Sequence, residues 1–164
     1  MAELSNLESK LGEVLGLAMA AQGATEKVQK LDDLDEQLKQ RLQQMHAEAK
    51  ETEDRATDVA SGFEGKKTAI LAEAREAKEK ATEMMQDYLD EGADALDGFE
   101  FLTMAEAGEV GHWEVLKTLN QRAGNAELRE LCDWAIPIQQ RHFEDVRKGS
   151  LVLASEEDPN ETSG

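Results

Sequence analysis

Apolar positions recur every three to four residues in five successive stretches of this chain, the period of an amphipathic helix. In the first, Leu4, Leu7, Leu11, Leu15, Ala18 and Gln22 follow one stripe, continued by Thr25 and Val28. The pattern predicts a helix from near Glu3 to about Leu31 that passes over Gly23. Gly12 and Gly16 stand four apart on it, beside Ala18, Ala20 and Ala21, and residues that small let a neighbouring backbone come close. The charged run Asp32–Asp35 should turn the chain and supply an Asp as N-cap.

The second helix is expected over about 34–61, with Leu38, Leu42, Met45, Ala49, Thr52, Ala56 and Val59 on its stripe and His46 beside it. SGFEG then breaks the period between Gly62 and Gly65. The third, about 66–90, has a thin seam rich in alanine: Ile70, Ala74, Ala77, Ala81, Met84, Met85 and Tyr88. A seam that thin suits a covering or crossover helix, not a core one. Gly92 and Gly98 are read as bracketing an acidic loop, which starts the fourth helix at about 98 and carries it to 122. Ala123-Gly124-Asn125 is a tight connection, so the fifth helix, about 125–148, should be an antiparallel neighbour of the fourth. Its stripe is Leu128, Leu131, Cys132, Ala135, Ile138, His142 and Val146, with Pro137 expected to kink it and Gly149 to close it.

Composition agrees with this reading. Ala, Glu, Leu, Lys and Gln dominate, and aromatic residues make up 4% of the chain, so an all-α protein is expected. The 164 residues suffice for one domain, read as a helical bundle over 1–150 followed by a disordered acidic tail over 151–164. A net charge of −18 argues against nucleic acid and anionic membrane as partners, and leaves a cation, a basic protein or a second copy of the chain. No apolar run is long enough to span a bilayer, and the acidic start MAELSNLESK lacks a signal core, so a cytoplasmic protein is expected. Cys132 is the only cysteine and reads as a small core residue. Trp113 and Trp134 lie at nearly equal distances from Gly124 and are expected to anchor the last two helices.

The candidate chemistry centres on Glu106–Leu119, EAGEVGHWEVLKTL. At helical spacing Ala105, Glu109, His112, Leu116 and Leu119 share a face that should point into the core. An acid and an imidazole on such a face must be paired or bound to a metal. Each histidine has a ligand-capable residue three positions earlier: Gln43 before His46, Glu109 before His112, and Gln139 before His142. Bundle-core metal sites use this spacing. His46, Glu109, His112 and His142 are therefore the candidate metal ligands. The set balances one ion, not two, and imidazole with carboxylate suits iron or zinc better than calcium.

With MHAEAKETEDRA, GKKTAILAEA and GHWEVLKTLNQRAG in place, the chain resembles the ferritin-like superfamily, and within it the stress-associated bacterial ferritin-like proteins. The likeness spans about residues 18–147. It implies four core helices with a long crossover between the second and the third. Family ligand positions fall on Gln22, on Gln43 and His46, on Glu109 or Gly111, and on Gln139 and His142. Three expected carboxylates are thus amides, so di-iron oxygen chemistry is not expected. A ferritin-like bundle holding one metal ion and linked to stress, or a metal-free scaffold or partner-binding protein of the same fold, are the two functions this implies.

Overall fold

Five helices carry the chain in the computed structural model, which describes residues 2–162. They are α1 (Asn6–Gln29), α2 (Glu36–Ser61), α3 (Lys67–Tyr88), α4 (Ala95–Ala123) and α5 (Ala126–Ser155). No strand occurs among the described residues. The starts of four helices are written locally. Ser5 and Glu8 close a capping box on α1, Asp35 caps α2, Asp94 and Asp97 close a second box on α4, and Asn125 caps α5. Gly124 takes the left-handed conformation, φ 70°, that lets α4 end and α5 begin two residues later. Asn120 ties this turn down, its Nδ2 donating to the Asn125 carbonyl and its Oδ1 accepting from the Asn125 amide.

α4 packs along α5, and α1 lies against α2, α3 and α4, while α2 also meets α5. α3 buries only Ala69, Ile70 and Ala74, so it covers the bundle from outside, as its thin seam predicts. It nevertheless comes very close to α1. A Cβ at Gly16 would stand 2.1 Å from the Ala74 carbonyl oxygen, and one at Gly12 would stand 2.8 Å from that of Ile70.

Two boundaries differ from the sequence reading for one reason. Gly98 does not close a loop but lies inside α4, where a Cβ would meet Leu31 at 2.9 Å and Val28 at 3.0 Å. Gly149 does not end α5, and the ring of Phe99 stands 2.6 Å from where its Cβ would be. Both glycines are points of close approach between helices. α5 also runs through Pro137, which is exposed, and on to Ser155 with Leu153 buried. Residues 163–164 of the expected tail lie outside the described residues. Among the described residues no helix is long and apolar enough to cross a membrane.

The apolar interior forms two clusters. One gathers Leu11, Leu15, Ile70, Trp113, Leu116 and Leu128. The other gathers Val28, Leu42, Met45, Phe99, Leu102 and Val146. Between them, on α4 and α5, the buried positions are Glu106, Glu109, Gln139 and His142. The bundle therefore carries a polar layer across its middle.

Candidate ligand site

The buried stripe of α4 is Leu102, Glu106, Glu109, Trp113, Leu116 and Asn120. It is turned by about one residue from the face read in the sequence. Glu106 occupies the place given to Ala105, and Trp113 the place given to His112. Glu106 and Glu109 keep only 2% and 4% of their surface exposed. α5 presents Gln139 and His142 to them, also buried. Turned so that its Nε2 faces them, the Gln139 amide donates to Oε2 of both Glu106 and Glu109, each at 3.1 Å. Turned the other way, its carbonyl accepts from the same oxygens once they carry protons. A glutamine here serves either protonation state.

His142 bridges this layer to the surface. Its Nε2 lies 3.0 Å from Glu48 Oε1, and its Nδ1 lies 3.9 Å from Glu106 Oε2, beyond hydrogen-bond reach. Burial works to raise the Glu48 carboxyl, but hydrogen bonds from Arg141 and His142, with their charges, hold it below its ordinary range. Burial lowers His142 against the opposing pull of Glu48. The ring is therefore neutral near pH 7, and an ionised Glu48 fixes its proton on Nε2. That leaves Nδ1 as a bare lone pair toward Glu106.

Among the described residues no cationic side chain is paired with either Glu106 or Glu109. Burial raises Glu106 to about 8, and burial together with the charge of Glu106 raises Glu109 well above its ordinary value. Burial thus favours the protonated form of both. The pair faces a cavity of about 470 Å³ between α1, α3 and α4. The cavity exists because α3 packs on α1 and barely touches α4. Its walls are mostly apolar, with Leu17, Ala20, Ala81, Met85 and Leu102 among them, and Glu13, Glu73, Glu76, Lys80 and His112 also line it.

The four predicted ligands do not meet. His46 pairs with Glu26 at 3.1 Å on the face between α1 and α2. His112, partly exposed, pairs with Glu13 at 3.1 Å. It shares the cavity wall with Glu109, while His142 reaches Glu109 only through Gln139 and Glu106. Among the described residues no group of three or more His, Cys, Asp or Glu side chains is arranged to hold a metal ion. The physical reason is that each histidine has its own carboxylate, on a different part of the surface or layer. Of the other family positions, Gln22 donates to Glu53 at 2.7 Å, and Gln43 and Gly111 are exposed.

Sequence reasoning missed Glu106 and Glu48. Glu106 carried a signal: Leu102 and Trp113 bound a core stripe on which positions 106 and 109 must fall. Glu48 carried none, because an acid beside a stripe is the ordinary state of a surface helix. Compared with known protein families, with curated proteins and with solved structures, the chain matches none.

Proposed function

We propose that this chain is a metal-free, ferritin-like bundle that binds a small organic molecule in the cavity between α1, α3 and α4. Two helix hairpins, α1–α2 and α4–α5, joined by a covering crossover helix, support the ferritin-like reading. One observation carries the binding reading: an apolar-walled cavity of about 470 Å³ opens onto two buried acids. Concave, mostly apolar sites with a few convergent polar groups of shifted pKa are where small ligands bind. The polar layer then has a task, which is to orient a ligand whose body lies along the alanine and methionine walls.

The test is a titration with 1-octanol followed by the fluorescence of Trp113, one helical turn from Glu109. Saturable binding is expected, and Ala81→Phe, which fills the cavity, should abolish it while leaving the melting temperature within a few degrees. Unsaturable or absent binding overturns the reading. A melting temperature that rises with zinc or ferrous ion and falls with chelator would replace it with the single-metal one.

A further inference from the structure

We propose that the ligand of this cavity is an organic cation, an ammonium group on an apolar body, with its charged head seated against Glu106 and Glu109. The inference rests on the binding reading above and adds the chemical class.

The acids are unbalanced. Among the described residues Gln139 alone hydrogen-bonds them, and it reaches one oxygen of each. The basic groups nearby are engaged elsewhere: Lys80 with Glu76 at 3.4 Å, Lys10 with Glu13 at 2.6 Å, and Arg141 with Glu48. The Gln139 contact uses Oε2 alone, and both acids line the cavity. An ammonium group donates three hydrogen bonds and accepts none, which matches a floor made of carboxyl oxygens. The net charge selects the same sign. Glu13 and Glu76 are paired with Lys10 and Lys80, but Glu73 also lines the cavity and the chain as a whole carries −18, so a carboxylate or phosphate ligand is disfavoured. Gln139 completes the fit, since it can donate to the acids as they ionise. The apolar walls suit the body of the ligand.

Binding is an exchange. Burial favours the protonated acids when no cation is bound, and a cation that replaces one of those protons leaves the charge of the floor unchanged. One proton leaves the pair as one ammonium enters. Apparent affinity for the ammonium should therefore rise about tenfold per pH unit below the titration of the pair and level off above it. Other ionisable groups surround the site. Glu13 faces it from α1, Glu73, Glu76 and Lys80 from α3, His112 from α4 and His142 from α5, with Glu48 of α2 behind His142. Variants of the pair separate its contribution from theirs.

The experiment compares n-octylammonium, 1-octanol and octanoate by calorimetric titration of the whole chain at several pH values. Octylammonium should bind about 100-fold more tightly than octanol at neutral pH, lose about tenfold per pH unit on acidification, and release about one proton, read from buffers of different ionisation enthalpy. Octanol should show no slope. Glu106→Gln with Glu109→Gln keeps shape and hydrogen bonding and should bring the preference for ammonium below about fivefold and flatten the slope. Glu109→Gln alone serves if the double variant fails to fold. Octanol or octanoate binding as well as or better than the ammonium overturns the cation proposal and leaves the binding reading standing. So does a preference or slope that survives in the variants. Failure of all three probes to bind overturns both.

Discussion

Gly16→Ala adds one methyl group to the middle of α1. In an open helical position that change stabilises by up to about 1 kcal/mol, because alanine loses less backbone freedom on folding. At Gly16 the position is closed: the added Cβ would stand 2.1 Å from the Ala74 carbonyl oxygen and 2.8 Å from the Ala77 Cβ. The obstacle is the backbone of α3, so no side-chain rotation relieves it. α3 must move outward, and such overpacking costs about 1–3 kcal/mol, here toward the upper end. Offset by the propensity gain, the net loss is about 1–2 kcal/mol, or a melting temperature lower by roughly 2–8 °C for a chain of this length. Gly23→Ala is the control on the same helix, since a Cβ there meets nothing within 4 Å. It should raise the midpoint by roughly 2–4 °C. Thermal and urea melts followed by helical circular dichroism measure both. If the two substitutions shift the midpoint upward alike, α1 and α3 are not in backbone contact, and the account of how the cavity is walled falls with it.

Trp113→Ala should cost about 3–5 kcal/mol, because the ring is fully buried and its indole nitrogen has no partner that would be left behind; a loss under about 1 kcal/mol in urea melts would place the ring elsewhere. Asn120→Ala removes both hydrogen bonds across the α4–α5 turn and should cost about 1–3 kcal/mol, whereas an unchanged urea midpoint would show that Gly124 holds the turn unaided.

Helix number, the Asp35 cap, the tight Gly124 turn and the outer place of α3 were legible because each depends on residues close together in the chain. Gly98 and Gly149 were misread because a glycine that admits a neighbour looks, locally, like one that ends a helix. Only the opposing Leu31, Val28 or Phe99 tells them apart. The site was half legible. Glu106 and His142 stand equally far from Gly124, on either side, and so do Glu109 and Gln139. In an antiparallel hairpin equal distance means equal level, which selects Glu106, not His112, as the residue opposite His142. The cavity was not legible at all. It follows from where α3 leans, and that is set by the α1 glycines and by the absence of comparable contact with α4.

An acid pair in the core should leave its mark on stability as pH changes. Glu106 keeps its proton in the folded chain up to about 8, while the unfolded chain releases it near the ordinary value of 4.5. Between those two pH values the folded state binds more protons, so stability must fall as pH rises. The contribution is fully present below about 4.5 and lost as pH passes through about 8, in total on the order of 3–5 kcal/mol. Glu48, held low by Arg141 and His142, works in the opposite sense below its ordinary range, and His142, lowered by burial, also works in the opposite sense below its ordinary 6.5, so the fall due to Glu106 is read cleanly only above that pH. Glu106→Leu isolates the effect. Leucine fills a similar volume, Gln139 keeps Glu109 as a partner, and no hydrogen bond from His142 to Glu106 is lost, because 3.9 Å is too long for one. The variant should match the parent near pH 5 and exceed it near pH 8 by about 1–3 kcal/mol, while the ammonium probe binds it weakly or not at all. A parent whose melting temperature is flat or rising from about pH 6.5 to pH 8, or a Glu106→Leu variant less stable than the parent at pH 8, would mean that the acids are already compensated in the folded chain. The cavity would then have no need of a cation.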